Sequence, residues 1–465
     1  MNLPHSIHQF QHIFFIGVAG TGMSALAQYM CGIGKHVSGS DRYFSDGKAS
    51  DIREKLEKEG VICYPQNGGG VHAGIDLVVV STAIEHTVPE VQAAQSLNIP
   101  IMHRSALLSL IAQSKRTIAV AGTSGKSTTS AMLFDIMQHA GLDPGIISGA
   151  GLVSIIKKGK IGNAYVGKGE WLIIEADESD GSITQYQTEV GLLLNIDKDH
   201  QEMEELNRLF AIFTSNTKRL FLTNQAHLAC TPFSAGSSFD FSANPHYQSG
   251  YMATDFSQKG MEICFRVNKI DFSIHTIGKH NMENALAATA VANQLGVSLP
   301  VCAEALQTYE GIYRRSQFLG NYRGITLIDD YAHNPVKCAA SIRSCQDIAP
   351  KVIAWFQPHG YGPTRFLKNE FIHELADALR AEDVLCMSEI FYAGGTAVKD
   401  ISSNDIIAEI CARGKHAIFV ENREDVLAKL KPHFTQDCVL LLMGARDPGL
   451  EAFAQSIQQK LMHVD

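Results

Sequence analysis

No apolar run in this chain approaches the roughly 18 residues that a membrane-spanning helix needs. Nor does a block of Lys or Arg interrupt its acidic balance, with 39 basic against 48 acidic residues in 465 and a formal charge of −9. The missing basic stripe argues against a grip on nucleic-acid phosphates and against docking on an anionic membrane. The ten cysteines contain no C-x-x-C pair, so they read as reduced, buried thiols rather than disulfides or a zinc site. The opening MNLPHSIHQFQH lacks a charged-then-apolar signal pattern, which gives the expectation of a cytoplasmic protein. Internal repeats and low-complexity segments are also missing. What is present is 45% apolar and 19% charged residues, the composition of packed domains and not of a disordered chain. At about 150 residues per domain, the length suggests roughly three domains.

Short apolar runs alternate with amphipathic stretches almost throughout, the pattern of βαβ units with helices covering parallel sheets. The first third reads as strands at Ile13–Ile16, His36–Gly39, Ile75–Val80 and Ile99–Met102. Helices are expected over about Met23–Ile33, Ala49–Glu59 and Ser105–Gln113, with Gln113–Arg116 as a polar linker. A second unit opens at Thr117 and has further strands near Trp171–Ile174 and Val190–Asn195. An irregular or small antiparallel region over about 223–276 and a helical segment Asn281–Gly296 complete it. A third unit begins near Tyr313, with candidate strands Ile325–Ile328, Val352–Trp355, Val384–Met387, Ala417–Val420 and Val439–Met443.

The strongest local signal is Val120-Ala121-Gly122-Thr123-Ser124-Gly125-Lys126-Ser127-Thr128-Thr129, between an apolar strand and a helix. Backbone N–H groups of such a loop wrap a triphosphate, Lys126 reaches the outer phosphates, and the Ser127 hydroxyl can ligate Mg²⁺. The first Gly of G-x-x-x-x-G-K-[ST] would fall at Val120, so the match is imperfect. Glu175-Ala176-Asp177-Glu178-Ser179-Asp180 then ends a buried strand, where clustered acids are costly unless a cation sits among them. The alternative is a solvated acidic turn. Asn195-Ile196-Asp197-Lys198-Asp199-His200 ends another strand, with His200 as a second metal ligand, a group that orients a phosphate, or a residue of a surface turn.

Near the N-terminus, Gly17-Val18-Ala19-Gly20-Thr21-Gly22-Met23-Ser24 follows a strand and opens a helix. It is either a diphosphate-holding turn or a simple tight turn. Its G-x-x-G-x-G spacing is not that of an NAD site, which counts against a dehydrogenase, and Asp41 ends the second strand where an acid often meets a ribose. Two later clusters are Gly278-Lys279-His280-Asn281-Met282-Glu283-Asn284, with plain N-capping by Asn281 as its bland explanation, and Tyr313-Arg314-Arg315 with Asp329-Asp330-Tyr331-Ala332-His333-Asn334-Pro335.

Taken in order, GVAGTGMSALA, GTSGKSTT, EADESD, NIDKDH, GKHNMENA and DDYAHNP resemble the motifs of the Mur ligase family, the ATP-dependent amide-forming enzymes of peptidoglycan assembly. The resemblance covers nearly the whole chain. It implies an α/β protein of three domains: a Rossmann-like N-terminal domain for a UDP-sugar (1–113), a central P-loop ATPase-like α/β domain (114–312) and a Rossmann-like C-terminal domain (313–465). By the same resemblance, Gly122, Thr123, Ser124, Gly125, Lys126, Ser127 and Thr128 would bind ATP. Ser127, Glu175 and His200 would hold Mg²⁺, with Lys126, Glu175 and His200 as the catalytic set. His280, Asn281, Asn284, Arg315 and Asp330 would complete the nucleotide contacts. Gly20, Thr21, Gly22, Met23, Ser24, Asp41, Ser81, Thr82 and Ala83 would face the sugar nucleotide.

Within the family the motifs, with FQPH at Phe356–His359, look most like the branch that joins UDP-N-acetylmuramate to L-alanine. The lysine that several sister ligases carbamylate is absent, Phe210 standing in its place. The implied partners are small molecules, the sugar nucleotide and an amino acid, with no nucleic acid and no membrane; monomer and homodimer both stay open. Departures from the family pattern lie at Gly360 after FQPH, at Gln201-Glu202 after His200, in His86-Thr87-Val88-Pro89-Glu90, and at Gly444-Ala445-Arg446-Asp447-Pro448. They leave open a paralogous or recycling-type member that adds another amino acid or a peptide to a UDP-muramyl acid. From a different class, a regulator that hydrolyses ATP slowly without ligation is also open. The acids and His200 at metal positions count against it.

Overall fold

The computed structural model describes residues 6–45, 50–197, 202–236, 238–392 and 398–462. Four sheets organise them, and three are wholly or mostly parallel, with central strands whose apolar runs are buried on both faces. The first sheet holds β1 (His12–Ile16), β2 (His36–Asp41), β3 (Ile62–Pro65), β4 (Leu77–Val80) and β5 (Ile101–His103) in the order β3-β2-β1-β4-β5. Every neighbouring pair is parallel. Ile13 and Phe15 enter one apolar cluster while Phe14 and Ile16 enter another. A strand covered on both faces therefore reads as a continuous apolar run rather than an alternating one. The winding reverses between β1 and β4, so the Gly17–Met23 turn and the Ser81–Ala83 segment flank the crevice at this switch point.

The second sheet holds β6 (Arg116–Ala121), β7 (Gly145–Ile147), β8 (Ala164–Tyr165), β9 (Trp171–Ala176), β10 (Thr188–Leu193) and β11 (Thr217–Thr223), ordered β11-β10-β6-β9-β7-β8. Only β8 runs antiparallel to its neighbour. A four-stranded sheet follows in the region expected to be irregular or antiparallel: β12 (Phe241–Ser242), β13 (Tyr251–Lys259), β14 (Glu262–Val267) and β15 (Ile270–His275), in sequence order. Its first pair, β12 with β13, is parallel. The fourth sheet holds β16 (Gln317–Tyr322), β17 (Ile325–Asp330), β18 (Lys351–Gln357), β19 (Val384–Ser388), β20 (Ala417–Val420) and β21 (Cys438–Gly444), ordered β16-β17-β21-β18-β19-β20 with β16 antiparallel.

Two compact units result. The first contains Met1–Phe256, Cys264–His275 and Lys279–Ile312; the second contains Ser257–Ile263, Thr276–Gly278 and Tyr313–Asp465. The polar stretch expected to be a linker is shorter than its composition suggests. Helix Arg104–Gln113 and β6 are separated by Ser114 and Lys115 alone. Arg116 stacks on Trp171, 4.2 Å from the ring centroid, and the Thr117 hydroxyl donates to Ala112 O at 2.8 Å. Both polar residues thus belong to the packed strand.

Within this unit, helix Thr21–Gly32 packs on the β8 region so closely that a Cβ at Gly32 would meet Val166 Cγ2 at 2.6 Å. Asn163 cements the contact. It donates to Thr21 O (2.7 Å) and Ser24 Oγ (2.9 Å) and accepts from Gln28 Nε2 (2.7 Å). Among the described residues, no helix is long and apolar enough to cross a membrane.

Candidate active site

The central strand β6 delivers the phosphate loop, and its neighbours β10 and β9 deliver polar groups to the same edge. Gly122 and Gly125 adopt φ of +134° and +85°, which L side chains rarely do. A Cβ at Gly125 would also overlap Asn284 Oδ1. The loop is tied to β10's extension: Thr123 Oγ1 donates to Asn195 Oδ1 (2.9 Å), Ser124 N donates to the same oxygen (2.8 Å), and Asp197 N donates to Thr123 Oγ1 (3.0 Å). Thr128 is the third residue of helix Lys126–His139.

Lys126 Nζ donates to Gly122 O at 2.7 Å and to Glu178 Oε2 at 2.8 Å, with Asp177 Oδ1 3.7 Å away. Its side chain is 16% exposed and that of Glu178 5%. Burial alone would push the ammonium pKa down, but Glu178, Asp177 and Glu175 outweigh burial and hold it above its ordinary value. Beside it, Ser127 Oγ donates to Glu175 Oε2 at 2.9 Å. The other Glu175 oxygen accepts from Ser148 Oγ (2.6 Å) and Gly149 N (2.8 Å). The Val120↔Glu175 register between β6 and β9 brings hydroxyl and carboxylate together.

The fit to Mg²⁺ rests on this donor set. One carboxylate and one hydroxyl, to be completed by phosphate oxygens and water, match the ion's preference for hard oxygens and few protein ligands. No group of three or more His, Cys, Asp or Glu suited to a metal occurs among the described residues. His200 lies outside them.

Helix Lys279–Gln294 packs beside the loop helix through Thr129 Oγ1, which donates to Asn284 Oδ1 at 3.2 Å. Asn281 is not an N-cap, because the helix begins two residues earlier at Lys279. Asn281 Oδ1 instead accepts from Asn284 Nδ2 at 3.3 Å inside the helix, and both residues are buried, while His280 is exposed.

On the first sheet, Gly17 N and Val18 N donate to Ser40 O, and Asp41 accepts from Ala19 N (3.1 Å) and Tyr43 N (3.0 Å). The buried Asp41 carboxylate therefore shapes the Gly-rich turn itself. Gly20, Thr21 and Gly22 sit at the mouth of this turn. Met23 and Ser24 are buried, and Ser24 belongs to the Asn163 network. Thr82 and Ala83 are exposed and Ser81 half-buried, at the end of β4 across the crevice.

In the second unit, β17, β21 and β18 end side by side, with Asp330 opposite Met443 and Gln357 opposite Gly444. The neighbouring arginines have different surroundings. Arg314 is buried, donates to Asp329 Oδ2 (2.9 Å) and Gly444 O (2.9 Å), and is structural. Arg315 is exposed, with its guanidinium carbon 5.1 Å from the Tyr331 ring centroid. Asp330 is buried and accepts from Ser316 Oγ (3.1 Å), Ser341 Oγ (2.6 Å) and Ala332 N (3.1 Å), so its carboxylate organises the loop. His359 lies 5.8 Å from His333 between ring centroids, and burial, His333 and Arg446 push its pKa down to about 4.

Sequence reasoning passed over Asn195 as a loop clamp, Ser148 as a partner of Glu175, and Asn163. All three act through tertiary neighbours. The only signal for Asn195 was its place at the end of an apolar strand.

A phosphate loop on a central parallel strand, an acid and a hydroxyl paired across to the next strand, and a Rossmann-type crevice in the same unit define a nucleotide-dependent α/β enzyme. Comparison with known proteins narrows the class. Residues 12–116 match the model described as Mur ligase family, catalytic domain, residues 120–292 the Mur ligase middle domain, and residues 314–446 the Mur ligase, glutamate ligase domain. A UDP-N-acetylmuramate–L-alanine ligase of Carboxydothermus hydrogenoformans is 32% identical over 95% of this chain and 96% of its own. One from Xylella fastidiosa is 33% identical over 98% and 96%. The crystal structure of a UDP-N-acetylmuramate–alanine ligase from Thermotoga maritima shares the fold at a TM-score of 0.80 and 24% identity, covering 97% of this chain and 99% of that one. The chain belongs to the Mur ligase family, the ATP-dependent ligases that form amide bonds.

Proposed function

We propose that this chain joins UDP-N-acetylmuramate to L-alanine in the cytoplasmic assembly of peptidoglycan precursors, through an acyl phosphate. The carrying observation is the Ser127–Glu175 pair beside Lys126, in a chain 32% identical to a ligase of that name over nearly its full length. The division of labour follows the sequence reading: residues 1–113 take the sugar nucleotide, 114–312 ATP and metal, and 313–465 the closing contacts to nucleotide and amine.

In the first step a carboxylate oxygen of the sugar nucleotide attacks the γ-phosphorus, the bond to ADP breaks, and an acyl phosphate forms. The amine, neutral after losing a proton, then attacks the acyl carbon, and the tetrahedral intermediate expels phosphate. Such chemistry needs positioning and charge neutralisation more than a protein nucleophile. The Gly122–Gly125 amides and Lys126 bind and orient the phosphates. Ser127 and Glu175 would hold one Mg²⁺, which supplies charge neutralisation on phosphate oxygens when bound, and His200 would serve a second. His280, Asn281 and Asn284 lie on the adenine side, and exposed Arg315 is the arginine of its pair able to meet the nucleotide. The Gly20–Gly22 turn, with Ser81–Ala83 across the crevice, faces the sugar nucleotide.

The test is phosphate release from ATP with UDP-N-acetylmuramate and a panel of amino acids, with products weighed by mass spectrometry. L-alanine-dependent turnover yielding the alanyl amide supports the reading. Amide formation with another amine or a peptide moves the chain to a sister specificity, and turnover indifferent to both co-substrates refutes ligation.

A further inference from the structure

The Gly-rich turn of the first sheet carries a cation that its motif does not predict. Arg104 opens helix Arg104–Gln113 immediately after β5, at the same sheet edge as the turn. A Cβ at Gly22 would meet Arg104 Nη1 at 3.0 Å, Cζ at 3.7 Å and Cδ at 3.9 Å. Gly22 has no positive φ. The backbone there does not require glycine, and the short contacts show how closely the guanidinium lies over the turn. The arginine's one hydrogen bond among the described residues runs from Nη2 to Asp180 Oδ2, at 3.2 Å. The two side chains are 32% and 22% exposed. A guanidinium carries five N–H donors in a planar fork, so most of its capacity remains available beside the first turn of helix Thr21–Gly32.

An exposed monodentate pair of this kind contributes little to stability. Cationic forks over Gly-rich turns are suited to phosphate oxygens, which they meet in bidentate fashion. We infer that Arg104 binds the diphosphate of the sugar nucleotide above Gly22, and that Asp180 is its counter-ion while no substrate is bound. This inference rests on the functional reading above and adds to it a residue outside the motifs. Asp180 stands in the same acidic turn that engages Lys126 through Asp177 and Glu178. That one turn therefore serves as counter-ion to both anion-binding cations.

Calorimetric titration of the full chain with UDP-N-acetylmuramate, UDP and ADP tests it. If the wild type binds neither uridine nucleotide, the functional reading itself fails. If it does, Arg104→Ala is expected to weaken both uridine nucleotides at least tenfold while leaving ADP unchanged. Arg104→Lys should recover part of the loss, and Asp180→Asn should bind UDP as tightly as the wild type or more so. Unchanged UDP affinity in Arg104→Ala, or equal weakening in Arg104→Ala and Asp180→Asn, would overturn the assignment, the second result marking the pair as a structural tie.

Discussion

Lys126 is held by Glu178 at 2.8 Å and by Gly122 O at 2.7 Å, so the cation proposed to bind phosphate is already engaged inside the protein. A nucleotide must draw the ammonium away from a buried carboxylate. Glu178→Gln removes that competing charge but keeps a neutral acceptor, so ATP affinity is expected to rise several-fold, a part of the roughly 1.5–3 kcal/mol net that a hydrogen bond to a charged group contributes. Lys126→Ala is expected to lower kcat by about 10²–10³, the scale of losing one transition-state charge contact, with uridine-nucleotide binding retained. Titration calorimetry and steady-state rates check both; a Glu178→Gln protein that binds ATP more weakly would contradict the counter-ion role.

Gly125 combines a φ of +85° with the absence of room for a Cβ beside Asn284. Gly125→Ala should cost about 1–3 kcal/mol in backbone strain alone and displace the Asn284 amide from Thr129. Adding Asn284→Ala should recover the steric part and leave the strain. Thermal melts of the single and double variants measure the difference, and a fully additive pair would contradict the clash.

Arg314 and Arg315 should separate by phenotype. Arg314→Ala leaves Asp329 buried without its cation, a loss of about 3–5 kcal/mol, seen as a lowered melting temperature. Arg315→Ala touches an exposed side chain; its fold should be intact and its effect confined to activity. Equal destabilisation by the two changes would reverse these assignments.

The imidazole of His359 resists protonation down to about pH 4, mainly through burial and then through His333 and Arg446. An unfolded histidine takes its proton near pH 6.5. Between those values the unfolded state binds more protons, so stability rises with pH from about 4 to 6.5 and this contribution is flat above. His359→Gln should flatten the acid-side slope of melting temperature against pH, while parallel curves would show that His359 does not set it.

The three wholly or mostly parallel sheets were legible because their central strands are apolar on both faces and bounded by Gly-rich or acidic turns. Phe14 to Ile16 and Val439 to Met443 show this most clearly. β3 and β16 escaped notice, being short or edge strands with exposed residues such as Ile62 and Phe318. The loop at Gly122–Ser127 and Glu175 stood out by residue type at strand ends, and the structure pairs Ser127 with Glu175. The buried surroundings of Asp330, named for the nucleotide, were not legible, since its hydrogen bonds from Ser316 and Ser341 follow from packing that no local spacing encodes. Arg104 was hidden for the same reason, its relation to Gly22 spanning 82 positions of sequence.

The claim that this site activates a carboxylate by phosphorylation is tested most directly with UDP-N-acetylmuramate labelled with ¹⁸O in its carboxylate. Turned over with ATP and L-alanine, the account predicts inorganic phosphate carrying one ¹⁸O for each amide formed. Unlabelled phosphate accompanying the product would contradict it.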